Sequence, residues 1–284
     1  MRSNVRAFAA ERFHVWRCGQ CHSIHARDEV DLDRYYADYP FHHLPEDWRT
    51  RAIYDNQLRR LQRAGLRTHH SILDYGCGGG GFLRHLRRRG YRNAVGYDAY
   101  SEGAGDRAAL ERRYDCVFAQ DVIEHVSSPH ALLDEFATLT APGGIMAIGT
   151  PNAAAIDLID SERTVHALHL PYHRHILSKQ ALIEAGLQRG WYLLRYYGTE
   201  YGNTLVPYLN APFMSYYMRV MDNSIDCLFE RPRLMPLVLR LPLTLFWGWL
   251  GYFLAPETDV MAIFRKPVLT LAPPAFEQRR SHSP

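Results

Sequence analysis

The fold is decided by residues 72–82, which read Ile-Leu-Asp-Tyr-Gly-Cys-Gly-Gly-Gly-Gly-Phe. The apolar start predicts a short buried strand, and the glycines predict a loop that follows it directly. Without Cβ atoms, Gly76, Gly78 and Gly80 can adopt positive φ angles and let a ligand lie against the main chain. Residues 82–89 then predict a helix, and the free N–H groups at its start favour polar or anionic ligand groups.

Two kinds of cofactor fit this loop. Gly76, Gly78 and Gly81 match the GxGxxG pattern of dinucleotide-binding loops. Asp74 argues against a dinucleotide, because its carboxylate would repel a pyrophosphate but could accept hydrogen bonds from an ammonium group. The order Asp-x-Gly-x-Gly-x-Gly after an apolar strand resembles the first motif of class I S-adenosylmethionine (SAM) dependent methyltransferases. The resemblance implies that Asp74 and the loop at Gly76, Gly78 and Gly80 hold the methionine part of SAM.

A second cofactor residue follows the next predicted strand, residues 94–97, which ends at Asp98. An acidic residue at this distance from the first strand is placed to accept hydrogen bonds from ribose hydroxyls. The resemblance also implies a helix, a strand and an adenine contact before the next clear strand, but the interval here is short. Asp106, Gln120 and Asp121 are the candidates for the adenine contact by position, and the third strand of the usual order is expected to be vestigial.

Residues 114–119 predict a buried strand whose end delivers Asp121 and the run Glu-His-Val at residues 124–126. Ligands bind outside the carboxyl ends of the strands in an open parallel sheet, so this segment borders the same crevice as the glycine loop. The segment resembles the fourth strand and Glu-His-Val run of small-molecule methyltransferases. His125 has a pKa range suited to a general base, and packing against the following helix is the alternative role.

Residues 129–140 predict an amphipathic helix, residues 141–144 a Pro-Gly-Gly turn and residues 145–148 a strand with a Thr-Pro-Asn exit. This succession resembles the same family. The three resembling segments together span residues 72–152, and their order and spacing agree. They predict an α/β fold with a Rossmann-like, doubly wound, mostly parallel sheet, to which residues 260–265 add an antiparallel last strand.

Residues 153–177 are rich in histidine. In the family resembled, this region closes over the acceptor, which implies that Tyr172, His173 and His175 line the substrate pocket and makes His173 a second catalytic candidate. A structural role for most of these residues is the alternative. A metal site is another, and its ligands would be His166, His169, His173, His175, Asp157 and Asp160.

Beyond this region, Ser178 predicts the N-cap of a helix that runs through Ala185 and ends at Gly186. Residues 191–197 predict a further strand.

Residues 1–45 form an N-terminal extension with Cys18 and Cys21, whose thiolates could bind zinc, with His14, His22 and His25 close enough in sequence to complete four ligands. Many methyltransferases of the group resembled carry an N-terminal zinc ribbon with two Cys-x-x-Cys knuckles. Only one pair is present here, so a metal-free segment packed on the core is the alternative.

An apolar insertion, residues 201–255, separates the SAM-binding core at residues 46–200 from the last strand at residues 256–267. Residues 234–255 are almost wholly apolar and approach the length of a membrane span. Prolines, glycines and Arg240 interrupt the run, which disfavours spanning. An interfacial helix that touches a membrane, or a lid over a lipid-like acceptor, is one expectation. Helices that complete the core or a dimer interface are the alternative.

The composition agrees with one α/β domain with additions: 284 residues, 47% hydrophobic. A tail at residues 268–284 is expected to be disordered. The net charge of +3 is too small to indicate a nucleic-acid partner, and the arginine-rich residues 59–67 and 84–92 fall on predicted helices as solvated faces. Five cysteines without a disulfide spacing, and an N-terminus without an apolar signal core, indicate the cytoplasm, with peripheral membrane contact through residues 234–255 as a further expectation.

The resemblance therefore implies a SAM-dependent methyltransferase that acts on a small, hydrophobic acceptor, most simply at oxygen. Two enzyme alternatives are an NAD-dependent oxidoreductase, which Asp74 disfavours, and an RNA methyltransferase, which the weak positive charge disfavours. An alternative of another class is a catalytically inactive methyltransferase fold that serves as a scaffold at a membrane surface. The short interval after Asp98 keeps this alternative open.

Overall fold

The computed structural model of the chain describes residues 1–36, 46–101, 104–159 and 165–268. The predicted tail from residue 269 onward, the boundary of the extension near residue 45, and Asp160 lie outside these described residues.

The secondary structure alternates between helices and strands from residue 48 to residue 197, and a helical segment then precedes the last strand. The strands of the described residues are β1 (Val15–Arg17), β2 (Ile24–Ala26), β3 (Ile72–Tyr75), β4 (Ala94–Tyr97), β5 (Tyr114–Gln120), β6 (Thr140–Pro151), β7 (His175–Ile176), β8 (Tyr192–Tyr197) and β9 (Asp259–Arg265). The helices are α1 (Leu32–Tyr36), α2 (Trp48–Arg63), α3 (Gly81–Arg88), α4 (Pro129–Leu139), α5 (Val165–Leu168), α6 (Lys179–Gln188), α7 (Ala211–Met221), α8 (Leu234–Val238) and α9 (Leu241–Leu250).

A six-stranded sheet lies at the centre, in the order β4-β3-β5-β6-β9-β8. Strands β4, β3, β5 and β6 are parallel to one another, and β9 runs antiparallel to both of its neighbours. This arrangement confirms the predicted Rossmann-like sheet with an antiparallel last strand. Between β4 and β5 the described residues form only a 3-10 helix, Arg107–Leu110, so no third strand of the usual order is present among them.

Helices cover both faces of the central sheet. On one face, α4 places Leu133 and Phe136 against β5 and β6, where Val117 and Met146 are fully buried. On the other face, α2 and α3 bury a second cluster that includes Leu61. Each large apolar side chain buried in this way contributes about 1.5–3 kcal/mol to folding. The two apolar layers fix the sheet rigidly, and with it the loops at the strand ends.

The ends of α6 show one correct prediction and one wrong one. Ser178 is the N-cap, because its hydroxyl accepts a hydrogen bond from the Ala181 N–H. The predicted stop at Gly186 is wrong, since α6 continues to Gln188. Gly186 lies inside the helix, where Phe264 packs against its backbone. A Cβ at this position would lie 2.5 Å from the phenylalanine ring, which explains the glycine. Gly190, with φ +74°, follows the helix end instead.

The predicted Pro-Gly-Gly turn belongs to β6, which starts at Thr140 rather than near Ile145. Thr140 pairs with Tyr114, and the register then shifts before Ile145 pairs with Cys116. Gly143, with φ +77°, donates its N–H to the Lys266 carbonyl. The glycines therefore form an irregularity within the strand, not a loop before it.

The N-terminal extension packs on the core through a second, three-stranded sheet, β1-β2-β7. Ile24 of β2 pairs with Ile176 of β7, which ties the extension to the segment before α6. The Ser3 hydroxyl also donates to the Leu170 carbonyl at 2.6 Å. The extension therefore packs directly against the histidine-rich segment.

The insertion before β9 consists of α7, α8, α9 and two 3-10 helices, Ile225–Leu228 and Gly251–Leu254. In the described part of the chain, no helix combines the length and the apolar character needed to cross a bilayer. The division of the chain at residues 45, 200, 255 and 267 stays a prediction.

Candidate functional site

The carboxyl ends of β3, β4 and β5 meet at one edge of the central sheet because these strands are parallel and in register. Asp74 lies opposite Gly96 on one side and Phe118 on the other. The predicted cofactor residues at the three strand ends, Asp74, Asp98 and Gln120, therefore lie along one crevice.

The glycine loop leaves β3 in the backbone conformation that the sequence predicts. Gly76, Gly78 and Gly80 have φ angles of +76°, +50° and +73°. A Cβ on Gly76 would lie 2.3 Å from a methyl group of Val122, so this position must be glycine. A Cβ on Gly78 would meet nothing within 4 Å, and a cavity of about 340 Å³ lies beside the loop. The loop thus leaves room for a ligand against its backbone.

Asp74 is the charge at the base of this loop. It is only 3% exposed, and Oδ2 has no hydrogen-bond partner among the described residues. Burial, and then the nearby charge of Asp98, raise the pKa of Asp74 to about 7. A buried carboxylate without a partner is costly, and an ammonium group is the partner that would satisfy it. Asp74 therefore fits the amino-acid end of SAM, which carries such a group.

Asp98 holds the glycine loop against the end of β4. Its Oδ2 accepts a hydrogen bond from the Gly78 N–H at 2.8 Å, and its Oδ1 accepts one from the Tyr100 N–H at 2.9 Å. A carboxylate oxygen has a second acceptor position, so these bonds are compatible with ribose hydroxyls as further donors. The ribose contact of Asp98 stays a prediction.

The three candidates for an adenine contact have different surroundings. Asp106 caps the 3-10 helix by accepting from the Ala108 N–H. The Gln120 amide donates to Asp121 Oδ1 at 2.8 Å, and Asp121 Oδ2 accepts from the Tyr201 hydroxyl at the same distance. Gln120 Oε1 is buried without a hydrogen-bond partner among the described residues, so it remains the acceptor in this group that a cofactor donor would satisfy.

Both catalytic candidates, His125 and His173, are brought together. Their ring centroids are 4.8 Å apart, although 48 positions separate them in the sequence. Backbone hydrogen bonds bring the two histidines together, because the N–H groups of Arg174 and His175 both donate to the Glu124 carbonyl. The histidine-rich segment is thereby fastened to the end of β5.

Glu124 completes the group. Its side chain is fully buried, and burial raises its pKa well above the ordinary value. His173 Nε2 lies 3.9 Å from Glu124 Oε1. Desolvation is the main reason that the pKa of His125 lies well below its usual range, and the charge of His173 lowers it further. One ligand atom from each of the three residues lies within 4.8 Å of the others, so this group could hold a divalent cation.

Tyr36, from the N-terminal extension, covers this group. Its hydroxyl lies 2.7 Å from His125 Nδ1, and its ring stacks on Tyr100 with the centroids 4.4 Å apart. Burial raises the pKa of Tyr36 far above its usual range. No spacing in the sequence indicates a role for Tyr36, because its partner His125 lies 89 positions away.

Cys18 and Cys21 lie in the turn between β1 and β2. Two of the histidines that the zinc prediction needs are engaged elsewhere: His14 with Asp28, and His25 with His175 at 2.9 Å. Within the part of the chain that the structure describes, no third cysteine, histidine or carboxylate joins the two cysteines as a metal-ligand group. The zinc site therefore gains no support. His175 pairs with His25 of the extension, and its place in the acceptor pocket stays a prediction.

A second set of acidic groups, which the sequence did not indicate, lies behind Asp121. Desolvation raises the pKa of Glu200 to about 7 and the pKa of Asp259 well above the ordinary value. Arg60 of α2 donates to the carbonyls of Thr199 and Glu200. Arg60 is only 5% exposed, so the prediction that its helix carries a solvated arginine face is wrong at this position.

Comparison with known proteins agrees with this geometry. A family model described as a methyltransferase domain matches residues 42–196. The ubiquinone biosynthesis O-methyltransferase of Maricaulis maris is 31% identical over 151 residues, which cover 44% of this chain and 59% of that protein. The protein of the same name from Cereibacter sphaeroides is 32% identical over 137 residues, which cover 39% of this chain and 53% of that protein. The chain thus spans less than two thirds of the length of these relatives.

Among solved structures, the complex between the Haloferax volcanii Trm112 methyltransferase activator and its methyltransferase matches with a TM-score of 0.51 at 14% identity. The match covers 85% of this chain and all of the matched chain, and it supports the fold alone. The family match covers more than half of the chain, including every strand end that forms the crevice. The chain therefore belongs to the SAM-dependent methyltransferase family that carries this methyltransferase domain.

Proposed function

We propose that the chain transfers a methyl group from SAM to an oxygen atom of a small, apolar acceptor. The observation that carries this proposal is the meeting of Glu124, His125 and His173 at the end of β5, beside the crevice that begins at the glycine loop. An oxygen acceptor must lose a proton during transfer, and this group offers imidazole nitrogen atoms that could accept it.

The division of labour follows from the chemistry of the cofactor, whose sulfonium charge already activates the methyl group. The protein then has to align the two reactants and exclude water. Asp74 would hold the amino-acid part of SAM, and Asp98 would hold its ribose. His173 has its ring proton at Nδ1, which lies 2.7 Å from the Ala167 carbonyl, so Nε2 is the proton-accepting atom on the side of Glu124.

The acceptor is proposed from the surroundings of the site and from the relatives. The ring of Tyr36 lies beside His125 and also contacts the rings of Tyr100 and Tyr172, so three tyrosines gather at this end of the sheet. Such aromatic rings suit an aromatic or apolar acceptor. The relatives named ubiquinone biosynthesis O-methyltransferases favour a phenol or catechol oxygen over an amine.

The location is part of the proposal. All five cysteines are free thiols, which suits a reducing compartment such as the cytoplasm. Peripheral contact of residues 234–255 with a membrane would bring the chain to an acceptor that is dissolved in lipid.

The test is a transfer assay with SAM and two matched acceptors, a catechol with an apolar tail and the corresponding aniline. We expect methylation of the catechol oxygen, detected by mass spectrometry of the product. His173→Gln should lower kcat by about 10²–10⁴-fold while the affinity for S-adenosylhomocysteine is unchanged. His130→Gln, at an exposed position, is the control. Transfer to nitrogen, or full activity of His173→Gln, would contradict the proposal.

The scaffold alternative makes a different prediction. A fold that has lost turnover through its short interval after Asp98 should bind neither SAM nor S-adenosylhomocysteine with micromolar affinity. Isothermal titration with S-adenosylhomocysteine, with NAD as the control on the same preparation, distinguishes the enzyme from the inactive scaffold before any acceptor is known.

A further inference from the structure

The insertion exposes an unusual amount of apolar surface. Twelve of the 22 exposed large apolar side chains of the described residues come from the 21 positions between residues 234 and 254. We call these twelve the apolar insertion surface. They are Leu234, Met235, Val238, Leu239, Leu241, Leu243, Leu245, Phe246, Trp249, Leu250, Phe253 and Leu254. Such a concentration of exposed apolar side chains in one segment points to an interaction site.

Helix α9 is turned the opposite way from a helix of a globular core. Its buried residues are Thr244 and Gly248, whereas its leucine, phenylalanine and Trp249 side chains face outward. The Thr244 hydroxyl donates to the Leu237 carbonyl, and a Cβ on Gly248 would come within 2.3 Å of the Tyr208 ring. Close packing of the small and polar face therefore holds the apolar face in the exposed orientation.

Specific polar contacts fix this arrangement to the rest of the insertion. The Asn210 amide, at the start of α7, donates to the carbonyls of Trp247 and Gly248. The Tyr216 hydroxyl lies 3.1 Å from the Thr244 hydroxyl. These hydrogen bonds hold the apolar insertion surface in a defined orientation.

The segment that carries the surface has basic but no acidic side chains, although Glu230 and Glu257 flank it in the sequence. Between residues 231 and 256 the sequence has three arginines, Arg231, Arg233 and Arg240, and no acidic residue. All three side chains are exposed, and Arg233 forms an ion pair with Glu230 at 3.3 Å, which leaves Arg231 and Arg240 as the cations that carry the argument. Arginines at the border of an apolar face match the phosphates of an anionic lipid surface, whereas contact with a second copy of the same face would bring like charges together.

The dimensions favour insertion into the interface of a bilayer. Helix α9 has ten residues, which corresponds to about 15 Å, half of the roughly 30 Å hydrocarbon core. A short helix with an apolar outer face and basic borders lies in the plane of the headgroups and buries its apolar face at the acyl boundary.

One loop connects this surface with the candidate site. The Asn203 amide donates to the Tyr252 carbonyl of the 3-10 helix that ends the surface. Two positions earlier in the same loop, the Tyr201 hydroxyl donates to Asp121 beside the end of β5. A bilayer that contacts residues 234–254 would therefore lie next to the segment that borders the crevice.

We propose that the apolar insertion surface docks on bilayers that contain anionic lipid, with its apolar side chains at the acyl boundary and Arg231 and Arg240 at the phosphates. The docking does not depend on methyl transfer. Only its role, the collection of an apolar acceptor from the bilayer, rests on the proposed function.

The test is flotation of the full chain with vesicles of phosphatidylcholine alone and of phosphatidylcholine with equimolar phosphatidylglycerol. We expect binding to the anionic vesicles. Leu239→Asp combined with Phe253→Asp, at side chains that are 75% and 72% exposed, should lower binding at least tenfold. Arg231→Glu and Arg240→Glu should each lower it by about fivefold or more, and only for anionic vesicles. Ile159→Asp, at a side chain 98% exposed elsewhere, is the matched control.

Two results would overturn the docking proposal. One is equal vesicle binding by wild type and by the Leu239→Asp, Phe253→Asp variant. The other is a dimer that this variant converts to a monomer, with no vesicle binding by wild type. Titration with S-adenosylhomocysteine shows that the variant is folded. Vesicle binding without methylation of any catechol would leave the docking intact and reject the proposed function, so the two failures are distinguishable.

Discussion

The hydroxyl of Tyr36 lies 2.7 Å from Nδ1 of His125. This hydrogen bond joins the N-terminal extension to the end of β5 and places a phenol over the candidate catalytic histidine. The extension is therefore part of the site, although the sequence assigned it only to a zinc knuckle or a packing role.

Tyr36→Phe should lower kcat several-fold without changing the affinity for S-adenosylhomocysteine. The substitution keeps the ring that stacks on Tyr100 and removes one hydrogen bond, which is worth about 1 kcal/mol. The ratio of kcat to that of wild type, measured across pH, is the readout. Tyr192→Phe, on the exposed part of β8, is the control, and a kcat equal to wild type in Tyr36→Phe would show that the bond has only a packing role.

Asp74→Asn should make the ligand-free protein more stable at high pH and weaken cofactor binding. The folded-state pKa of about 7 exceeds the ordinary carboxyl value of about 4, so the folded chain binds more protons than the unfolded chain between these values. The free energy of unfolding of wild type therefore falls as pH rises through this window. The variant lacks this loss, because it has no group to ionise at that position.

Urea denaturation at several pH values checks this prediction, with the exposed Asp134→Asn as control. Isothermal titration in buffers of different ionisation enthalpy should also detect proton release when S-adenosylhomocysteine binds wild type below pH about 7. An identical pH dependence of stability in wild type and Asp74→Asn would contradict the assigned protonation.

Asp98→Ala should weaken the binding of S-adenosylhomocysteine by about 1–3 kcal/mol through lost ribose hydrogen bonds. The same substitution releases the Gly78 N–H, so the loop loses an anchor as well. Asp98→Asn separates the two effects, because its amide oxygen can still accept one of these bonds. An unchanged affinity in Asp98→Ala would show that another residue binds the ribose.

Gly76→Ala should destabilise the fold by about 1–3 kcal/mol or more, since φ is +76° and the new Cβ would lie 2.3 Å from a Val122 methyl group. Gly19→Ala is the matched control, because a Cβ there meets nothing within 4 Å. Denaturant unfolding of both variants gives the comparison. Equal stability of Gly76→Ala and wild type would mean that the loop relaxes without cost.

The parts of the site that follow one strand could be predicted from the sequence. Asp74 and the glycines Gly76, Gly78 and Gly80 are consecutive in the chain, so their spacing alone carries the information. The order of β3 to β6 was predictable for the same reason, because each strand and helix has its own local pattern and parallel neighbours follow short connections.

The parts that depend on distant contacts could not be predicted. The bond between Tyr36 and His125 spans 89 positions, and that between Tyr201 and Asp121 spans 80. No local periodicity reports such pairs. The predicted helix end at Gly186 was wrong for a related reason. In the sequence, a glycine that makes room for Phe264 of another element looks the same as a glycine that ends a helix.

The position of β9 between β6 and β8 has a consequence for biosynthesis. The strand is synthesised after the whole insertion, so β6 keeps an open edge, and β8 has no partner, until residues 259–265 have left the ribosome. The leucine- and tryptophan-rich helices emerge before that moment. A nascent chain therefore exposes this apolar segment while its central sheet is still incomplete. Folding near a bilayer or a chaperone would shield both that segment and the unpaired strand edge from aggregation.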